Sequence, residues 1–156
     1  MSHDLIEQFR FVRQCTVNYV NRIEEHKMEA VPAGLNNNIK WNLGHIYVSA
    51  EKIIFQLTGE QASIPEKFGA YFGMGTSPAS WSEESPTKEE LIELLNQQLI
   101  KVEALMEHRI EEPLQEAYRT STGLLISSVV ACISFCLYHE GMHFAAIKSM
   151  YQQLQS

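Results

Sequence analysis

Little in this sequence points out of the cell or toward a polyanion. It has only three cysteines, Cys15, Cys132 and Cys136. An odd number of thiols supplies no disulfide framework, and these read as reduced side chains of a reducing compartment. The opening MSHDLIEQFRFVRQ is charged from the start and lacks the basic stretch and apolar core of a signal peptide. The longest apolar run, near Leu124 to Leu137, is interrupted by Ser127, Ser128 and Ser134. It falls short of the roughly 20 apolar residues that span a bilayer. Basic residues are scarce too: 12 Lys and Arg stand against 19 Asp and Glu, a net charge of -7. Such a surface repels phosphate backbones, and no Lys/Arg cluster overrides it locally. The expectation is a cytoplasmic protein with a small-molecule substrate and neither a nucleic-acid nor a membrane partner.

What is present suits one domain over residues 1–156, because 45% of the residues are hydrophobic and 20% charged. Four helical segments are predicted and no strand pair. The first runs from about Ser2 to Glu29, with Leu5, Phe9, Val12, Thr16, Tyr19 and Ile23 on one stripe. The second runs from near Asn38 to Gly59. An asparagine of 36–38 is its N-cap, Gly59 its stop, and Leu43, Ile46, Tyr47, Ala50, Ile54 and Leu57 its buried face. A long connection, 60–85, mixes Pro and Gly with Phe68, Tyr71, Phe72, Met74 and Trp81. Its aromatics argue for an ordered loop packed on the body, as a lid or pocket wall. The third helix opens on a capping box, Thr87 with Glu90. The last, about Thr122 to Gln153, is apolar on more than one face and is therefore expected at the centre. Four long amphipathic helices make an all-α chain, a four-helix bundle.

Of six histidines, His3, His26 and His108 lie among polar neighbours and read as surface residues. His139 and His143 stand four apart in YHEGMH. That spacing puts their Cβ atoms about 6 Å apart on one helix face. Two imidazoles so placed can reach one metal ion at about 2.1 Å each. The alternative is a pair of hydrogen-bonded core or surface histidines. The same residues match H-E-x-x-H, in which the glutamate, here Glu140, activates water. After His143, however, the remaining residues FAAIKSMYQQLQS hold no His, Asp, Glu or Cys, so a third ligand must come from upstream. His45, in WNLGHI, can supply it; a histidine hydrogen-bonded to a neighbouring helix is the competing reading. Gly44 beside it weakens a helix unless something fits closely against it.

Cys132 and Cys136 share the stripe of His139 and His143. A Cys2His2 site is excluded on one straight helix, since Cys132 and His143 are about 16 Å apart along the axis. Both thiols read as small buried hydrophobes. Glu140 is the candidate base, yet it points about 100° around the helix from His139 and can instead pair with a cation on another helix. Glu51 and Tyr47 follow His45 and can reach the site or its surroundings. Trp41 can wall a cleft or join the core.

The segments NNIKWNLGHIYVSAEKII and YHEGMHFAAI, in this order on two helices, resemble the DinB/YfiT-like superfamily across essentially the whole chain. The resemblance implies a four-helix bundle that often forms homodimers. It also implies one divalent metal ion, often zinc or nickel, on the positions of His45, His139 and His143. Some members are thiol S-transferases that use bacillithiol, mycothiol or a related low-molecular-weight thiol. Three neutral imidazoles leave a tetrahedral ion one open position, where bound water or a thiol becomes acidic. The expected function is a metal-dependent enzyme, such as a thiol S-transferase acting on an electrophilic small molecule. A metal-dependent hydrolase and a non-catalytic metal-binding or sensing module are the alternatives.

Overall fold

The computed structural model of the chain describes residues 2–156. Helix α1 (Ser2–Val20) buries Phe9, Arg13, Thr16 and Val20. It stops nine residues before the expected end at Glu29. The reason lies in residues 21–24, which turn so that Ile23 enters the core, and the Lys88 ammonium donates to the carbonyls of Asn21 (3.3 Å) and Ile23 (2.7 Å). A buried cation here meets carbonyl oxygens that a continuing helix would have used. A separate short helix, α2 (Glu25–Glu29), buries Met28.

Helix α3 (Ile39–Ala50) begins at Asn38, whose side chain accepts from the Trp41 amide at 2.7 Å. It runs on as a π-helical stretch, Glu51–Gln56, and the segment ends at Gly59 with φ of 79°. The connection that follows is ordered: it contains α4 (Phe68–Phe72) and a 3-10 turn, Pro78–Ser80. Phe68, Tyr71 and Phe72 are buried, as the aromatic content leads one to expect. Helix α5 (Lys88–Arg109) starts with the anticipated capping box, Thr87 and Glu90 exchanging hydrogen bonds.

Two differences follow α5. Strands β1 (Pro113–Arg119) and β2 (Leu125–Ser128) form an antiparallel hairpin where a plain link is expected. The register is irregular between Pro113 and Tyr118, and Ile126 is the one fully buried side chain of the pair. No alternation of polar and apolar residues marks strands so exposed. Helix α6 (Val129–Gln155) accordingly starts later, capped by Ser128.

The central element is α3, not α6. Every α3 residue except Ser49 is buried, whereas α6 exposes Val130, Tyr138 and Met142. Helix α3 packs against α2, α4, α5 and α6, and α1 against α5 and α6. The described residues thus form a mostly helical structure, six α-helices with one two-stranded sheet, where four helices and no sheet are expected.

Two apolar clusters fill the interior. One gathers Ile23, Leu43, Tyr47, Phe72, Leu95 and Ile147; the other gathers Phe9, Ile54, Val102, Met106, Val129 and Ile133. On each long helix a buried polar residue lies between them: Arg13 on α1, Gln98 on α5, Glu140 on α6 and Glu51 after α3. Arg13 donates to both oxygens of Glu140 (3.0–3.2 Å), to Gln98 Oε1 (2.9 Å) and to the Leu95 carbonyl (2.7 Å). Gln98 in turn donates to Glu51 Oε1 at 2.9 Å. Every buried side-chain donor and acceptor among the described residues has a partner, as a buried polar layer requires.

Candidate metal centre

The apolar contacts between α3 and α6 bring three distant histidines together. The ring centroids of His45, His139 and His143 lie 4.5–5.0 Å from one another. One nitrogen from each lies within 4.8 Å of the other two. The three rings sit at the edge of the interior, with His45 buried and the two α6 histidines half-buried.

Neighbouring groups fix the hydrogens. His45 Nδ1 lies 2.7 Å from the Phe72 carbonyl, which only accepts, so this nitrogen carries the hydrogen. Nε2 is then left with its lone pair, and Ser49 Oγ stands 3.3 Å from it. His143 Nδ1 lies 2.8 Å from Asn42 Oδ1. That amide cannot be flipped without loss, because its nitrogen donates to the Asn38 carbonyl at 2.9 Å. His143 therefore also offers Nε2. Orientation by a carbonyl or amide oxygen on the far nitrogen is how proteins hold metal-binding imidazoles. Trp41 stacks on His45 with centroids 4.5 Å apart, and Phe135 lies over His139 at 6.0 Å.

Electrostatics favour neutral rings. Burial pushes His139 down to about 4, with the neighbouring His45 adding to it. Burial and then the other two imidazoles push His143 down to about 3. His45 is lowered by burial against the opposing hydrogen bond to Phe72. At neutral pH all three lone pairs are therefore free of protons, the state that metal binding requires. The donor set fits a divalent metal ion. His45, His139 and His143 would hold it, and no fourth His, Cys, Asp or Glu joins the cluster among the described residues.

The cluster opens on a cavity of about 490 Å³. Val48, Ile53, Phe135 and Met142 supply apolar wall. Gly73 and Met74 of the long connection form one side, and Thr120, Ser121 and Thr122 of the hairpin turn another. The 60–85 segment thus does wall the cleft, while most of its aromatics belong to the core.

Other sequence candidates lie elsewhere. Glu140, considered as a base, is 3% exposed with both oxygens held by Arg13, so it is not presented to the cavity. Glu51 is engaged by Gln98 and by the Ser63 amide (2.8 Å). The Tyr47 hydroxyl donates to the Ser63 carbonyl. Cys132 and Cys136 are buried, and burial pushes the Cys132 thiol up to about 11, which leaves it unreactive. His3, His26 and His108 are exposed. Reading of the sequence misses Asn42, Ser49, Lys52 and the hairpin. Asn42 and Ser49 have a detectable signal, since polar residues at 38, 42, 45 and 49 recur at helical spacing within an otherwise apolar segment.

Gly44 does have a close neighbour: a Cβ there would overlap the Phe72 ring. The same residue's carbonyl orients His45, so crowding the ring moves the group that aims the ligand. Gly44→Ala adds about 1 kcal/mol of helix propensity but overpacks a buried aromatic at about 1–3 kcal/mol. A lower melting temperature and weaker metal binding are expected together. A variant that melts higher and keeps its metal affinity would show that the ring yields freely.

Comparison with known proteins agrees with this architecture. The chain aligns over 98% of its length with 96% of a conserved protein from Enterococcus faecalis known from a crystal structure, with a TM-score of 0.67 and 12% identity. At that identity the likeness concerns the fold. No curated protein matches the sequence. Residues 8–147 match the DinB superfamily. With most of its length inside that match, the chain belongs to the DinB superfamily.

Proposed function

We propose that this chain is a cytoplasmic metal-dependent thiol S-transferase. It holds one zinc or nickel ion through His45, His139 and His143 and joins a low-molecular-weight thiol, of the bacillithiol kind, to an electrophilic small molecule. The observation that carries the reading is the convergence of three neutral imidazoles on the wall of a cavity, with no fourth His, Cys, Asp or Glu joining them among the described residues. A bound divalent ion would supply Lewis acidity at its open position.

The surroundings favour a thiol over water as the nucleophile. No Asp or Glu is among the described residues that line the cavity, so hydrolysis there would rely on metal-acidified water alone. A thiol needs only a modest lowering from its usual value of about 8.5 to be ionised at neutral pH. The chain's own part is to orient the ligands through Asn42 and the Phe72 carbonyl. The sulfur then bonds to the electrophilic carbon as the leaving group departs, and the thiol proton passes to solvent at the mouth.

Cobalt substitution tests this directly. Protein loaded with cobalt is expected to take up about one ion per chain, with the intense visible bands of four-coordinate geometry. Adding 2-mercaptoethanol should produce a near-ultraviolet sulfur-to-metal band. A weak six-coordinate spectrum indifferent to thiol and azide would overturn the reading in favour of a sealed or adventitious site.

A further inference from the structure

The cavity beside the histidines has a charge character opposite to that of the chain. Acidic residues outnumber basic ones, 19 to 12, yet none is among the residues that line it. Its one ordinary cation is Lys52. Every other lysine among the described residues has a partner. Lys27, Lys40, Lys67, Lys88 and Lys101 have carboxylates, and Lys148 lies over the Phe144 ring. Lys52 has no ion pair, ring or hydrogen-bond partner among the described residues. An unpaired ammonium at the edge of a cleft with no carboxylate attracts an anion.

Position gives the anion a shape. His45, Ser49 and Lys52 follow one another along one side of the same helical segment, all facing the cavity. Lys52 stands seven positions after His45, about 10 Å along the axis. Val48 and Ile53 of the same segment, with Phe135 and Met142 of α6, line the same cavity. The hydroxyls of Thr120, Ser121 and Thr122 belong to the same cleft and can donate to an acceptor.

We propose that this cavity takes an elongated small-molecule carboxylate. Its metal-seeking end lies at the three histidines, its apolar body lies against Val48, Ile53, Phe135 and Met142, and its carboxylate lies at Lys52. The assignment of the first end rests on the metal-and-thiol reading above; the assignment of the carboxylate end rests on Lys52 and the absence of acidic lining.

Three thiols of equal length but different charge separate these claims: 6-mercaptohexanoate, 6-mercaptohexanol and 6-aminohexanethiol. Their affinities for the cobalt-loaded chain are read from the sulfur-to-metal band. The carboxylate should bind on the order of fivefold more tightly than the alcohol, the size expected of a partly screened charge-assisted contact. The amine should bind least. Lys52→Gln should bring the carboxylate and the alcohol together at unchanged cobalt content, and Lys52→Arg should restore the gap. Equal binding of carboxylate and alcohol, or a preference that survives in Lys52→Gln, overturns the inference. If the chain takes up no cobalt, the reading of the metal site fails. The carboxylate site is then judged by titrating hexanoate and hexanol into the metal-free protein and following amide shifts. Preference for hexanoate that is lost in Lys52→Gln upholds it, and no preference overturns it.

Discussion

Glu140→Ala is expected to destabilise the folded chain by about 3–5 kcal/mol, the usual result of removing one partner from a buried ion pair. Arg13 is 0% exposed and Glu140 3%. Without the carboxylate the guanidinium keeps only the Leu95 carbonyl and Gln98 Oε1 as acceptors and loses the charge paired directly with it. A domain of this size is held by roughly 5–15 kcal/mol in all, so the urea midpoint should fall steeply. Arg13→Met combined with Glu140→Met should recover much of the loss, because it is the orphaned charge that is costly. The pair also sets the rotation of α6. Glu140 points about 100° around the helix from His139, so anchoring it inward on α1 turns His139 and His143 toward α3. A Glu140→Ala protein with an unchanged midpoint and no transferase activity would reinstate Glu140 as a base at the metal.

A graded pair of substitutions addresses the chelate itself. His143→Ala removes one of the three candidate ligands found among the described residues, and on the proposed function the purified variant should hold no stoichiometric metal. Asn42→Ala leaves the ligand in place but removes the oxygen that aims it. Loss of such an orienting partner typically weakens binding by 10–100-fold. Competition against a zinc chelator measures both. If His143→Ala retained one ion per chain, the three-histidine site would be refuted. Equal losses in the two variants would show that Asn42→Ala damages the fold and not merely the aim of the ring.

The pairing of His139 and His143 was legible because helix periodicity places them on one face, while His45 joined them through the resemblance of its segment to the DinB/YfiT-like superfamily. The helix caps at Asn38 and Thr87 and the stop at Gly59 were legible for a related reason: each depends on a few adjacent residues. Contacts between distant segments were not. The buried face of α1 includes Arg13, which the apolar stripe read from the sequence leaves out, because its partner lies 127 residues away. The hairpin went unseen because its strands are mostly wet on both faces and carry no period-2 signal. The placement of α3 at the centre depends on which helices surround it, and a composition richer in apolar residues on α6 pointed the other way.

The hairpin has a practical meaning of its own. Its turn, residues 120–123, forms cavity wall through Thr120, Ser121 and Thr122, while the three histidines come from α3 and α6. Most of the hairpin lies outside the packed interior, and Gly123, with φ of 98°, supplies a tight reversal. Thr120 is buried and accepts from the Leu124 amide at 3.0 Å, but the exposed Ser121 and Thr122 can be exchanged while the three histidines and their orienting groups stay intact. Under the proposed function, libraries randomised at 121–122 can be sorted for altered acceptor preference with the histidine cluster left unchanged.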